Sequence, residues 1–261
     1  MNLATNNKHE RDSRITFDEE PHIYYVDGEA YEDSVTGFVH SFFDCFDGKE
    51  IIKKYYDYWQ SNENHKYFGM SPQEILESWE NNPAADLGTQ LHKKIEDFYN
   101  GKLKEDSTPE FKHFLKFYKD HEQLKPYRTE WMIFDEDLKL AGSIDMLYID
   151  ENEELMIYDW KRSKEIKEQA NDEGKYPLSH LPNANYWHYS LQLNVYKAIL
   201  ERKYDKKVST MRLVILHPNN GSYEVIKVPD LSEEVELMFK ERLGQIKLKA
   251  TLFFSLNNSN Q

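Results

Sequence analysis

The chain has 261 residues, enough for one compact domain with a sizeable core, and a formal net charge of −14. That charge excludes a protein that coats polyanions with its whole surface, so any nucleic-acid contact must come from basic residues gathered locally. A single cysteine, Cys45, excludes a disulfide framework and a Cys-rich zinc module and suggests a reducing compartment, while no apolar run is long enough to span a membrane or serve as a signal-peptide core. The expectation is a soluble, intracellular protein of the cytoplasm or nucleus.

Residues 1–13 are polar and unpatterned, which predicts a disordered tail. From 14 to 84 the pattern predicts a hairpin and helical elaboration. Alternating apolar residues over 15–31 with an Asp27-Gly28 turn signal read as a small β-hairpin. Helices follow near 34–43 and 49–59, and a third opens at Ser71-Pro72, where Glu74 stands three residues on as a capping partner. The core spans 85–256, with a polar tail at 257–261. In 86–100, Leu91, Ile95 and Phe98 recur at helical spacing and Gly101 is placed to end the helix. A second stripe, Gly88, His92 and Glu96, stacks on one side, with Gly88 free to approach a neighbour closely. A lone His beside an apolar face is more often a hydrogen-bonded core residue than a ligand, and this stripe narrows that difference. A helix near 111–118 precedes a strand at 127–134. Glu130 on that strand is open to two readings, a third acid beside a cation or an edge charge.

The stretch 140–164, LAGSIDMLYIDENEELMIYDWKRSK, reads as two strands joined by a polar turn. Centred on Asn152, the register opposes Ile149 to Leu155, Leu147 to Ile157, and Asp145 to Asp159. Tyr148, Met146 and Ile144 then face Met156, Tyr158 and Trp160. Opposed side chains have Cβ atoms about 4.5–5.5 Å apart. Two carboxylates about 4 Å apart repel by roughly 4 kcal/mol at an effective dielectric near 20. One protonated acid or a solvated strand end would explain an isolated pair. Here apolar residues flank both faces, so the hairpin is buried, where an unpaired charge is expensive and a divalent cation reverses the sign. Alternation also puts Lys161 on the face of Asp159, so one strand delivers a carboxylate and an ammonium side by side.

Residues 163–184 read as a mobile loop bordering that site, and 186–203 as a strongly amphipathic helix with Leu191, Val195 and Ile199 in its core stripe and Gln192 and Tyr196 on a neighbouring one. Strands at 211–216 and 223–228 and a helix over 232–247 complete the core. Basic residues gather at Lys161, Arg162, Lys164 and Lys167. Lys112, Lys116 and Lys119, at helical spacing, read better as a solvated face.

Taken together, Gly88 to Glu96 (Gly-Thr-x-Leu-His-x-x-Ile-Glu), Gly142 to Asp145 (Gly-Ser-Ile-Asp), Asp159 to Lys161 (Asp-Trp-Lys) and Gln192 to Tyr196 (Gln-x-x-x-Tyr) resemble the PD-(D/E)XK nuclease superfamily. The match is to its RecB-like branch, to which lambda-type exonucleases are related. Ser143-Ile144 stands where the signature would put Pro before Asp145. The leader, with His22, Tyr24, Asp27, Gly28, Ser34, Val35 and Thr36, also looks like that of some relatives. The resemblance implies a restriction-endonuclease-like α/β fold, a central mixed β-sheet flanked by helices with a helical N-terminal elaboration. It implies a metal-dependent deoxyribonuclease, an exonuclease in recombination, replication or repair. The alternatives are an endonuclease on DNA or RNA, or a non-catalytic nucleic-acid-binding protein. Carried over by residue, Asp145 and Asp159 would bind Mg²⁺ or Mn²⁺ with His92 and the main-chain carbonyl of Trp160. Lys161 would orient the attacking water, and Glu96 would support His92. Gln192, Tyr196, Arg162 and Lys164 would hold the substrate. DNA is the implied partner, and a homo-oligomer or a recombination or replication protein is compatible with the resemblance.

Overall fold

The computed structural model describes residues 2–80 and 83–258. A short helix α1 (Leu3–Asn6) and a 3-10 helix (Glu10–Arg14) lead into an antiparallel sheet of β1 (Ile15–Asp18), β2 (Ile23–Val26) and β3 (Glu29–Tyr31). The Asp27-Gly28 signal makes the second of its two turns, with both residues at positive φ. Next come β4 (Asp33–Ser34) and helices α2 (Val35–His40), α3 (Gly48–Gln60) and α4 (Pro72–Glu80). Ser71 and Glu74 form the reciprocal cap that their spacing predicts, Ser71 N–H donating to Glu74 Oε2 at 2.7 Å. Helix α5 (Ala84–Tyr99) stops at Gly101, whose φ is 76°, and α6 (Pro109–Asp120) buries Phe111, Phe114 and Phe117 completely.

The second sheet has six strands: β4, β5 (Lys125–Asp135), β6 (Leu140–Ile149), β7 (Leu155–Lys161), β8 (Val208–Ile215) and β9 (Glu224–Lys227). Parallel neighbours need a crossover, and α7 (Asn185–Lys203) supplies it between β7 and β8. Met146, Tyr148, Tyr158 and Trp160 pack in one core with α5 and the α6 phenylalanines, while Leu147, Leu155 and Ile157 pack in a second with Leu191, Val195 and Ile199 of α7. This is the restriction-endonuclease-like α/β arrangement.

The register over 146–149 is the one read from the turn, Met146 opposite Tyr158 through Ile149 opposite Leu155. The ladder stops there, and neither Asp145–Asp159 nor Ile144–Trp160 forms a cross-strand pair. The reason lies in how β6 is bordered. Strand β5 covers one edge of β6, while β4 and β7 share the other, β4 against residues 140 and 141 and β7 against 146–149. Residues 142–145 face a gap between the two. In that gap the Asp145 carboxylate takes over from the ladder, Oδ2 accepting the Trp160 N–H at 2.9 Å.

Three expectations are corrected. Residues 2–13 are folded against β5: Leu3 is buried, Asp12 accepts from Arg128 Nη1 at 2.7 Å and Trp131 Nε1 at 2.8 Å, and Arg11 bonds the Phe134 carbonyl and Glu136. A polar segment passed for disorder because the partners of Asp12 are buried groups 116 and 119 residues away. Helix α7 is less one-sided than its stripe suggested, since Ser190, Leu193, Asn194 and Leu200 are buried as well; it lies between the sheet, α2 and the last helix, α8 (Ser232–Asn258). Residues 257 and 258 of the expected polar tail belong to α8, and 259–261 lie outside the described residues.

Asp12→Ala leaves the guanidinium of Arg128, a residue only 6% exposed, with the Asn7 carbonyl but no carboxylate, and takes the acceptor from the Trp131 indole N–H. A loss of about 2–4 kcal/mol is expected, read as a lower denaturation midpoint with unchanged slope. An unmoved midpoint would mean that the N-terminal contacts add nothing.

Candidate active site

At the gap in the sheet four elements deliver acids, an imidazole and an ammonium to one place. Asp145 comes from β6 where its ladder ends, and Asp159 and Lys161 from one face of β7. Glu130 comes from β5 opposite Asp145, and His92 from α5. Ligand atoms of His92, Glu130 and Asp145 all lie within 4.8 Å of one another. His92 Nδ1 is 3.5 Å from Asp145 Oδ2 and 4.0 Å from Glu130 Oε1. Lys161 Nζ is 2.7 Å from Asp159 Oδ2, in a pair almost closed to solvent.

Glu130, open to two readings from its sequence, stands beside His92 and Asp145. It has a φ of 45° in the middle of a strand, a left-handed conformation that costs a non-glycine residue of order 1 kcal/mol. Thr129 and Trp131 on either side keep their pairing with Met146 and Ile144, so the distortion is confined to Glu130. Its carboxylate accepts from Ser143 Oγ at 2.9 Å.

The electrostatics are those of buried acids crowded together. Burial, then Asp145, pushes Glu130 up to about 7; burial, then Asp145, pushes Asp159 up to about 6, against the opposing pull of Lys161. The His92 ring is largely desolvated, which opposes its charge, but Asp145 and Glu130 prevail and raise its pKa. His92 Nε2 lies 2.7 Å from the Trp160 carbonyl. The carbonyl can only accept, so Nε2 carries the hydrogen, and in the neutral ring Nδ1 presents its lone pair to Asp145 and Glu130. One nitrogen and carboxylate oxygens converging on a point suit a divalent cation.

The other expected site residues sit as follows. The Trp160 carbonyl, expected to face the cation, accepts from His92 and orients that ring. Glu96 is ion-paired to Lys93 at 2.9 Å and reaches the site only through its charge on Glu130. Arg162 alternates to the other face of β7 from Lys161 and is paired with Glu110 at 2.8 Å. Lys164 is exposed on the loop. Gln192 joins the site, its Oε1 3.5 Å from Lys161 Nζ. Tyr196 is 3% exposed and packs on Gly142, where an added Cβ would stand 2.8 Å from its ring. Gly142 is thus the glycine required by a close approach, whereas nothing lies within 4 Å of a Cβ at Gly88.

Three neighbours were missed. Tyr24 of β2 has its pKa raised to about 12 by burial, then by Glu130 and Asp145. The Tyr189 ring lies 4.5 Å from Lys161 Nζ, and Thr36 Oγ1 accepts from Gln192 Nε2 at 2.9 Å. Tyr189 shares a helix stripe with Gln192 and Tyr196, a legible signal; Tyr24 and Thr36 stood out only within the leader.

With this geometry in place, the family is settled. The family model of the PD-(D/E)XK nuclease superfamily matches residues 108–253, more than half of the chain, and the chain belongs to that superfamily. It is a nuclease, a hydrolase of nucleic acid from a superfamily that uses divalent metal ions. The matched stretch holds Glu130, Asp145, Asp159, Lys161, Gln192 and Tyr196 and begins beyond His92 and Glu96. Among solved structures, the chain is similar to SSO0001 at 15% identity and a TM-score of 0.33, over 82% of this chain and 75% of that one. No curated protein matches the sequence. No helix among the described residues is long and apolar enough to cross a membrane.

Proposed function

We propose that the chain is a Mg²⁺- or Mn²⁺-dependent deoxyribonuclease of the RecB-like branch, an exonuclease serving DNA recombination, replication or repair. The observation that carries the reading is the convergence of His92 Nδ1, Glu130 and Asp145 beside the Asp159–Lys161 pair, at the gap in the sheet. His92, Asp145 and Glu130 would hold the cation, with Asp159 as the adjoining acid. A divalent ion there would supply Lewis-acid activation of the attacking water and offset charge on the phosphate. The imidazole makes Mn²⁺ more acceptable than an all-oxygen set would. Lys161, held by Asp159, places a positive charge where the attacked phosphodiester gains negative charge, and no covalent intermediate on the protein is needed. Tyr196, being buried, acts on the substrate through Gln192. The exonuclease reading rests on the order of the His92 motif and the Gln192–Tyr196 motif around the acids.

End-labelled linear DNA, circular DNA and matched RNA, each incubated with Mg²⁺ or Mn²⁺, test this. Release of labelled nucleotides from linear DNA, with circles intact and Asp145→Ala inactive, is the expected result. Nicked circles would make it an endonuclease, and faster loss of RNA would change the substrate. Cleavage that survives Asp145→Ala, or none at all, ends the proposal.

A further inference from the structure

We infer that Thr36 is a positioning residue for Lys161, acting through the side-chain amide of Gln192; this rests on the nuclease reading above. A lysine stem is flexible, and an ammonium tied to one carboxylate can still swing about it. Here Lys161 Nζ has three partners: Asp159 Oδ2 at 2.7 Å, the Tyr189 ring centroid at 4.5 Å and Gln192 Oε1 at 3.5 Å. An ammonium only donates, so the amide atom turned towards it must be the oxygen. The Gln192 NH₂ then points the other way, to Thr36 Oγ1 at 2.9 Å and Tyr196 Oη at 3.3 Å, and both hydroxyls accept.

The two acceptors are not equivalent. Tyr196 lies one helical turn from Gln192 on α7 and is locked by packing on Gly142. Thr36 comes from α2, 156 residues away in sequence, and offers the shorter bond. Its place is set by the helix start, where Ser34 Oγ accepts the Gly37 N–H at 3.0 Å. Thr36 lies outside the stretch that matches the superfamily, so the N-terminal elaboration reaches into the chemistry and anchors the amide whose oxygen faces Lys161. With the Thr36 hydroxyl gone, the NH₂ keeps only the longer bond to Tyr196, and the amide oxygen that accepts from Lys161 is held less firmly.

Thr36→Val keeps the shape and removes the hydroxyl, while Thr36→Ser keeps the hydroxyl. On the DNA substrate, Thr36→Val is expected to lower kcat roughly tenfold with KM within about twofold, and Thr36→Ser to recover most of the loss. A readout free of activity accompanies it in protein labelled with ¹⁵N-glutamine. The Gln192 side-chain amide resonance, identified by its disappearance in Gln192→Ala, should move in Thr36→Val and stay in Thr36→Ser. Equal losses in both variants, or a Thr36→Val protein with wild-type kcat and an unmoved resonance, overturn the assignment. If the wild-type protein cleaves no nucleic acid, the nuclease reading has failed, and the resonance alone decides whether Thr36 orients the amide.

Discussion

Lys161→Met is expected to lower cleavage of DNA by roughly 10³-fold or more while leaving the metal site in place. The methionine keeps most of the volume of the stem and removes only the charge. Nζ of Lys161 stands 2.7 Å from Asp159 Oδ2, and Asp159 is 2% exposed, so the substitution also leaves a buried carboxylate without its cation. Breaking a buried pair from one side costs about 3–5 kcal/mol if the remaining group stays charged. Asp159 has a way to reduce that cost. Burial and Asp145 already push its pKa up to about 6 with Lys161 present, and without the ammonium it rises further, so the acid takes up a proton. Lys161→Met should therefore destabilise the protein more at pH 8 than at pH 5. Lys161→Met/Asp159→Asn, with no charge to bury, should regain much of the stability and none of the activity. Denaturant midpoints at the two pH values, beside cleavage rates, separate the roles. A single variant that keeps even a tenth of wild-type activity would remove Lys161 from the chemistry.

How much of this was legible in the sequence differs by element, for physical reasons. The register of β6 and β7 could be read because a turn and a period of two fix every side chain between them. That same rule carried two pairs too far. It opposed Asp145 to Asp159 and Ile144 to Trp160, whereas the strands part after Met146 and Tyr158, since β4 takes the other half of the β6 edge. A two-residue strand from the N-terminal elaboration leaves no periodic signal, so the gap that makes the site was invisible. Asp159, Lys161 and His92 were legible because each lies in a motif with fixed spacing. The role of Glu130 could not be read, since a positive φ within a strand follows from its surroundings and not from a local preference. Arg162 shows the limit of reasoning from charge: beside Lys161 in sequence, it belongs to the opposite face and to Glu110.

The metal-free protein is expected to lose stability as the pH rises from about 5 to 8, and a divalent cation to restore it increasingly over the same interval. Glu130 has an ordinary value of 4.5 and is pushed up to about 7; Asp159, ordinarily at 3.8, is pushed up to about 6. Groups whose pKa is raised by folding favour the fold while they hold their protons, so this contribution is complete below about pH 4 and is lost as the pH climbs through 6 and 7. His92 adds to the same trend. Its pKa is raised beside Asp145 and Glu130, so its favourable charge is present below the ordinary histidine value and lost above the raised one. A divalent ion binds the deprotonated acids and the neutral imidazole, so its affinity and its stabilising effect grow as those protons leave. Melting in EDTA and in excess Mn²⁺ at pH 5, 6.5 and 8 should show a metal-induced rise in Tm that is small at pH 5 and roughly 5 °C or more at pH 8. Glu130→Gln removes one of the crowded charges. In EDTA at pH 8 it should melt above the wild type, yet gain less from Mn²⁺. If the protein in EDTA becomes more stable towards pH 8, or if Mn²⁺ raises Tm equally at every pH, the acids do not crowd one another, and the cation does not sit between His92, Glu130 and Asp145.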